Sequence, residues 1–443
     1  MNKVKILLVI IVLSLMSCNS QQDVKVSAED YHDALDQLTD VMVYDIFSPP
    51  VASRIYAYPS IAAYEIIAQD TTNSFASLSN RIEHLSPIPK VDNYSEVNLE
   101  MSAIMAYLNV GEELIFSTHK LKTYKDSIYK NWSKSPKFEK SLDYANKVSN
   151  HVINWLKDDN YAQTRTMPKF SINTEDPSRW VPTPPDYMDG IEPNWIKMRT
   201  FVMDSASMFR PKGPTHFSLN VESKFYQELM EVYNTVNKAR ELGDNSELIN
   251  IAKFWDCNPY VSTHKGHMMF ATKKITPGAH WILINKLVAK KENLDFAQTA
   301  KSYALLSIGI YEAFISSWDE KYRSNLIRPE TLINQHIDEQ WTPILQTPPF
   351  PEHTSGHSVV SAASSVIMTH LYGDNYQFKD TTEEIYGLPA RSFNSFSEAA
   401  EEAAISRLYG GIHYMPSITE GLKQGRKVGK HVLYSINLEK EMN

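Results

Sequence analysis

The chain has 443 residues, of which 42% are hydrophobic, and it carries a formal net charge of −8 at pH 7. This length suffices for a large core in roughly two or three domains, or in one large domain. The acidic balance, with a pI near 6.0, disfavours binding to nucleic acid or to an anionic membrane through the general field. An anion site therefore requires a local cluster of positive charge, and we expect no nucleic-acid partner.

The first residues have the pattern of an export signal. Two lysines precede an apolar run at 6–16, which is too short for a stable membrane helix and is typical of a signal peptide. The run ends in Leu-Met-Ser-Cys, which resembles the lipobox of bacterial lipoproteins and implies cleavage before Cys18 and its lipidation. The alternative is an ordinary signal peptide with a chance cysteine. A lipidated Cys18 leaves Cys257 without a disulfide partner, and we expect a buried thiol there rather than a nucleophile.

The expected organisation is a signal peptide at 1–17, a tether at 18–28 and a single domain at 29–443 with its active-site core at 253–431. The expected location is the periplasm or cell surface of a Gram-negative bacterium. Membrane contact is then made only through the lipid anchor, in the outer membrane.

Most of the domain shows apolar residues at the three- and four-residue steps of amphipathic helices. We predict helices at 51–69, 96–121, 139–157, 218–241, 246–256, 279–291, 297–318, 357–372, 396–409 and 418–437. Proline and glycine mark loops at 164–195, 341–352 and 387–395. Strand signals are few. The predicted fold is all-α, a large helical domain of two packed helical bundles.

The first of three polar clusters is "KYRSNLIRPE", which begins at Lys321. Lys321 and Arg328 are seven residues apart, so on one helix they share a face, and we expect Pro329 to end that helix. The alternative is a solvated basic patch.

The second cluster is "HTSGHS" at 353–358, where a proline-rich loop runs into a predicted helix. The unpaired N–H groups of a helix start bind anions, Gly356 permits close approach, and Ser355 adds a hydroxyl. His357 can exchange a proton near neutral pH. The alternative is a Ser N-cap followed by a surface histidine.

The third cluster is "SRLYGGIH" at 406–413. Arg407 lies on an alanine-rich helix that the following glycine pair should end, and His413 lies in the turn. The alternative is a helix C-cap beside a histidine with its hydrogen bonds satisfied. Taken together, the three clusters indicate an oxyanion pocket with acid–base groups.

The pattern Lys-x6-Arg-Pro, Ser-Gly-His, Ser-Arg-x5-His is similar to the signature of the type-2 phosphatidic acid phosphatase and vanadium-dependent haloperoxidase superfamily. The stretches 48–65, 253–256 and 277–281 look like those of bacterial vanadium haloperoxidases, and the first resembles the iodoperoxidases of marine flavobacteria. Two positions depart from the pattern. Thr354 replaces a proline, and Ser417 replaces an aspartate, so another group must orient His413.

The resemblance implies a vanadate cofactor without haem, and hydrogen peroxide and a halide as substrates. It implies that His413 binds vanadium and that His357 is the acid–base group for peroxide. It also assigns the vanadate oxygens to Lys321, Arg328, Ser355, Gly356 and Arg407.

Further positions are expected on the halide side or around the site. Trp318 and Phe350 match positions that flank the halide in haloperoxidases, although core packing is the alternative for both. His353 and Tyr260 are further candidates, and Asp256 is a candidate partner of Arg407.

We therefore expect a vanadate-dependent haloperoxidase that oxidises iodide, with bromide as an open second substrate. One alternative is an exported acid phosphatase with His413 as a phosphohistidine nucleophile. Another is a lipoprotein that binds oxyanions without catalysis. The sequence leaves open the halide preference, the organic halogen acceptor and the oligomeric state.

Overall fold

A computed structural model of the chain describes residues 24–265, 268–271 and 273–438. The predicted signal peptide and Cys18 lie outside these residues. Within the described chain, no helix is long and apolar enough to cross a membrane.

The described chain is mostly helical, as predicted. The helices are α1 (Ala28–Asp45), α2 (Pro49–Ile67), α3 (Leu99–Leu114), α4 (Thr118–Trp132), α5 (Phe138–Leu156), α6 (Tyr161–Thr164), α7 (Lys224–Glu241), α8 (Glu247–Phe254), α9 (Pro277–Lys291), α10 (Phe296–Ser324), α11 (Pro329–His336), α12 (Gly356–Tyr372), α13 (Phe396–Tyr409) and α14 (Met415–Ser435). Short 3₁₀ helices lie at Tyr94–Glu96, Trp195–Lys197 and Glu384–Tyr386. Two antiparallel hairpins pair β1 (Ser262–Lys265) with β2 (Met268–Ala271) and β3 (Phe378–Asp380) with β4 (Arg391–Phe393).

The long helix α10 lies between two groups of helices. It packs on α2, which belongs to an N-terminal group with α3 and α5, and on its other side it packs on α12 and α14. One continuous apolar core extends from the N-terminal helices to the C-terminal ones. This arrangement confirms the predicted helical architecture and places α12, which begins at the second polar cluster, in the interior.

The predicted helix 218–241 begins only at Lys224, and two further differences change the course of the chain. The predicted helix 96–121 is two helices, because the chain becomes extended at Ile115 and the Asp45 carboxylate accepts hydrogen bonds from the N–H groups of Phe116 and Ser117. Helix α10 ends at Ser324, where Asn325 adopts a left-handed conformation with φ of 48°.

The second of these corrections affects the site. Pro329 does not end a helix but begins α11, where its fixed φ suits the first helical position. Lys321 and Arg328 therefore do not share a helix face. Lys321 is in the last turn of α10, and Arg328 is the extended residue that directly precedes α11.

Helices α12 and α14 approach closely because α14 carries glycine at every fourth position of one face. A Cβ at Gly425 would lie 2.0 Å from the carbonyl oxygen of Val359, and one at Gly429 would lie 2.8 Å from that of Ala363. A Cβ at Gly421 would lie 3.0 Å from the carbonyl oxygen of Ser355, the N-cap of α12. Because these glycines carry no Cβ, the N-terminus of α12 can pack directly against the backbone of α14.

We expect Gly425→Ala to lower the free energy of unfolding by about 2 kcal/mol or more, because a methyl group overlaps a backbone carbonyl that cannot rotate away. Gly213→Ala is the matched control, since no atom lies within 4 Å of a Cβ built there. Urea unfolding followed by circular dichroism measures both variants. Equal stability of the two would contradict the proposed helix contact.

Candidate active site

Residues of the second and third polar clusters line one buried cavity, and Arg328 of the first cluster lies behind it, with its Nη1 3.2 Å from His413 Nε2. The cavity has a volume of about 40 Å³, and its lining includes Gly356, His357, Arg407 and His413. The space is sufficient for a small anion or a few water molecules. Trp318, Phe350, Tyr260 and Asp256 also line it, as the sequence predicted for a common site.

His413 is held by a carboxylate that sequence analysis did not identify. Its Nδ1 donates to Glu352 Oε1 at 2.7 Å, and the Tyr414 N–H donates to the same oxygen at 3.0 Å. The ring must carry its proton on Nδ1, because Nε2 lies 3.2 Å from the donor Nη1 of Arg328. Burial, assisted by Arg328 and Lys321, holds the pKa of His413 well below its ordinary value. Nε2 therefore carries no proton, and its lone pair, which here faces Arg328 Nη1, can bind an electrophilic centre instead.

Ser417 replaces the aspartate of the related pattern, and it supports Glu352. Its hydroxyl lies 2.5 Å from Glu352 Oε2 and 2.8 Å from His353 Nδ1. Burial raises the pKa of Glu352 to about 7, against the hydrogen bond from Ser417 and the charges of Arg328 and Lys321. The sequence signal that could have identified Glu352 is a carboxylate in the proline-rich "PFPEH" stretch, directly before the second cluster.

Arg328 holds the backbone on both sides of the cavity and keeps one donor free. Its Nε donates to the Phe350 carbonyl at 2.9 Å, and its Nη1 donates to the Ile412 carbonyl at 2.8 Å. Nη2 is buried and has no hydrogen-bond partner in the described chain. Burial lowers the pKa of Arg328 to about 10, so the group stays charged at neutral pH. A buried cationic donor without an acceptor favours an anion beside it.

Lys321 is fully buried and binds the loop that leads into α12. Its ammonium donates to the carbonyls of Pro351 at 3.2 Å, Glu352 at 3.1 Å and Thr354 at 2.6 Å. The three protons of the ammonium group are thus directed at backbone oxygens. Burial, with the nearby charge of Arg328, lowers the pKa of Lys321 well below its ordinary value. In this structure Lys321 supports the oxyanion cradle from behind.

Arg407 is anchored on the end of α8. Its Nη2 donates to the carbonyls of Trp255 at 2.7 Å and Ala252 at 3.3 Å. Burial lowers the pKa of Arg407 to about 10, while the charge of Asp256 opposes that effect. Asp256, the expected partner of Arg407, thus acts on it through its charge, while the Asp256 carboxylate accepts from Lys274 Nζ at 2.6 Å.

At the N-terminus of α12 both interpretations of the second cluster apply, the serine N-cap and the anion site at a helix start. Ser355 is the N-cap, since its Oγ accepts from the Ser358 N–H at 3.3 Å. The N–H groups of Gly356 and His357, in the first turn, have no acceptor within the helix. His357 Nε2 is buried and has no partner in the described chain. Burial and the charge of Arg407 hold the pKa of His357 well below its ordinary value, so the ring is neutral.

Trp318 and Phe350 form an aromatic wall beside the buried cations. The rings of Trp318 and Phe350 are 5.1 Å apart, and Lys321 Nζ lies 5.0 Å from the centre of the Phe350 ring. Tyr260 is half-buried at the rim. His353, in contrast, is not among the residues that line the cavity, because its Nε2 donates to the Lys212 carbonyl at 3.0 Å on the far side of Ser417.

Comparison with known proteins gives a consistent family assignment. A family profile described as the VCPO second helical-bundle domain matches residues 301–438. The crystal structure of the first bacterial vanadium-dependent iodoperoxidase is similar to this chain at 52% identity, with a TM-score of 0.91 and coverage of 95% of this chain and 100% of that chain.

A bacterial vanadium-dependent chloroperoxidase in its holo form is 16% identical, with a TM-score of 0.68 and coverage of 88% of this chain and 93% of that chain. At this identity the likeness supports the fold alone. No match was found among curated protein sequences.

We expect Glu352→Ala to weaken binding of orthovanadate about 10- to 100-fold, because His413 and the Tyr414 N–H lose their common acceptor. Glu352→Gln keeps an oxygen acceptor and should lose less. Isothermal titration calorimetry measures affinity, and thermal unfolding shows whether each variant is folded. A folded Glu352→Ala protein with wild-type affinity would show that His413 does not depend on this carboxylate.

Proposed function

The chain belongs to the vanadium-dependent haloperoxidase family, and we propose that it oxidises iodide with hydrogen peroxide, using vanadate held at the cavity. The observation that carries the proposal is the neutral His413, whose unprotonated Nε2 lies among buried cations at the cavity. The near full-length similarity to an iodoperoxidase supports iodide as the halide.

The residues at the cavity fit a tetrahedral oxyanion bound through a single protein ligand. His413 Nε2 would bind vanadium, while the Arg407 guanidinium and the first-turn N–H groups of α12 at the cavity wall would hold oxygens. The unpartnered Nη2 of Arg328, whose Nη1 lies 3.2 Å from His413 Nε2, would hold another. Ser355, as the N-cap of α12, and Lys321, from the last turn of α10, would support the same cradle by holding the loop and the helix start. Bound vanadate would supply a Lewis-acidic centre at which hydrogen peroxide becomes more electrophilic.

His357 would move protons in this reaction. Its neutral ring can accept a proton from peroxide as peroxide enters, since Nε2 has no other partner in the described chain. The nearby Arg407 disfavours the imidazolium, so the proton is readily returned to the departing oxygen. His357 therefore returns to its neutral form in each turnover without an external base.

The aromatic wall suits a large, weakly hydrated halide. Trp318 and Phe350 exclude water at one side of the cavity, and the Arg328 guanidinium carbon lies 5.1 Å from the centre of the Phe350 ring. Positive charge behind an apolar surface attracts an anion that loses little hydration there. Iodide meets this condition and is also the halide that is most easily oxidised.

We expect the purified protein to form triiodide from iodide and hydrogen peroxide only after incubation with orthovanadate. His413→Ala should abolish this activity, and His357→Ala should lower kcat by about 10²- to 10⁴-fold through loss of proton transfer. His370→Ala is the matched control, because His370 is exposed on α12. A spectrophotometric triiodide assay measures all four proteins.

A parallel assay with p-nitrophenyl phosphate tests the alternative chemistry. Ester cleavage that orthovanadate inhibits, with no iodide oxidation, would assign the protein to the phosphatases and make His413 a nucleophile. Bromide in the first assay would define the halide range.

We also propose that the protein is an exported lipoprotein, on the basis of the signal-like run and the lipobox-like Leu15–Cys18 stretch. Two acyl chains on one cysteine provide stable membrane anchoring. Because cleavage at a lipobox depends on the cysteine, we expect Cys18→Ala to accumulate as an uncleaved precursor without acyl chains, as measured by intact mass spectrometry beside the wild type. A mature wild-type protein without acyl chains on Cys18 would refute the anchor.

A further inference from the structure

A second cluster of chemically reactive side chains lies beside the oxyanion cavity. His280, in the first turn of α9, has its Nδ1 3.3 Å from Cys257 Sγ and 3.6 Å from Glu383 Oε1. One donor atom from each of these three residues lies within 4.8 Å of the others. The three side chains come from distant parts of the sequence and are each at most 2% exposed.

The distances from His280 Nδ1 to Cys257 Sγ and to Glu383 Oε1 are close to those between the ligands of a tetrahedral zinc ion. Zinc–sulfur bonds of about 2.3 Å and zinc–nitrogen or zinc–oxygen bonds of about 2.0 Å place neighbouring ligand atoms about 3.5 Å apart. Cysteine, histidine and glutamate are all ligands that zinc accepts. The fourth position would be taken by water.

The Glu383 carboxylate provides an independent indication of a ligand. Its Oε1 is buried without a hydrogen-bond partner in the described chain, although it faces the imidazole and the thiol. An oxygen without a donor in such a setting is costly unless a cation fills the space.

The other nitrogen of the imidazole is held as in a zinc-bound histidine. His280 Nε2 donates to Asp380 Oδ2 at 2.8 Å, and the Asp380 carboxylate is fixed in turn by the hydroxyl and N–H of Thr382. A carboxylate on the outer nitrogen orients the ring and makes it more basic. Trp255 stacks on the ring at 4.5 Å between centroids.

We propose that Cys257, His280 and Glu383 bind one Zn²⁺ ion, with Asp380 holding the histidine from behind. The ion would fix the segment that follows α8. This segment matters to the active site because Arg407 donates to the Trp255 carbonyl, and Cys257 lies at the cavity wall. The site is distinct from the oxyanion cradle at His413 and does not depend on the proposed peroxidase activity.

The test uses the full-length protein, freed of metal by a chelator and then titrated with Co²⁺ as a spectroscopic substitute and with Zn²⁺. We expect one equivalent of Co²⁺ per chain, a thiolate-to-cobalt charge-transfer band, and displacement of Co²⁺ by Zn²⁺. Cys257→Ser should remove the band, while Cys18→Ser should keep it.

Glu383→Gln provides a second variant that leaves the thiol intact, and it should weaken Co²⁺ binding at least tenfold. Glu384→Gln is its matched control, since Glu384 is the exposed neighbour on the same turn. Circular dichroism establishes folding, and the spectra are repeated with orthovanadate, which should not displace the metal.

A wild-type protein without the charge-transfer band, or a folded Cys257→Ser protein that keeps it, would overturn the proposal. The cluster would then be a buried thiol–imidazole–carboxylate network. Neither result bears on triiodide formation, so the two proposals fail separately.

Discussion

The structure depends on the burial of three cations around one small cavity. Lys321, Arg328 and Arg407 are each at most 1% exposed, and removing such groups from water costs several kcal/mol per ion unless they are paired. The Glu352 carboxylate acts on Lys321 and Arg328 through its charge, but its hydrogen bonds go to His413, the Tyr414 N–H and Ser417. Backbone carbonyls satisfy most of the donors. The remaining positive charge favours an anion in the cavity, which is the property that the family's chemistry requires.

The carbonyls that satisfy these cations come from irregular segments, so the fold must hold those segments rigidly. The loop before α12 gives its oxygens to Lys321, and the end of α8 gives its oxygens to Arg407. The glycine face of α14 lets α12 approach until the Ser355 N–H reaches the Ser417 carbonyl at 3.2 Å. Helix packing thereby fixes the oxyanion cradle, and a rigid cradle stabilises charge without reorganisation.

Site residues whose positions depend on local patterns lie where the sequence predicts them. Arg407 and His413 are placed correctly because an alanine-rich helix ends at a glycine pair, which is visible in the sequence. The helix predicted through Arg328 is wrong, because two local preferences compete there. Seven-residue spacing favoured one helix through Arg328, but Asn325 adopts a left-handed conformation and Pro329 starts a new helix.

Partners that are distant in sequence were not predictable either. The contact between Glu352 and His413 joins two loops, and no periodicity marks it. The cluster around His280 is similar, because its members come from α9, from the segment after α8 and from the turn after β3. Cys257 was expected to be buried, and it is, but the residues that give its thiol a possible role could only be found in three dimensions.

Ser417 and Glu352 are best understood together, because the serine hydroxyl donates to the carboxylate. An aspartate at 417 would place a second carboxylate against Glu352, where Ser417 Oγ now lies 2.5 Å from Oε2. Two buried carboxylates at that distance repel each other strongly, and one would have to take up a proton. A serine donates to Glu352 instead. The carboxylate that orients His413 then comes from the loop that also holds Lys321, so one segment positions both the ligand and a cation of the site.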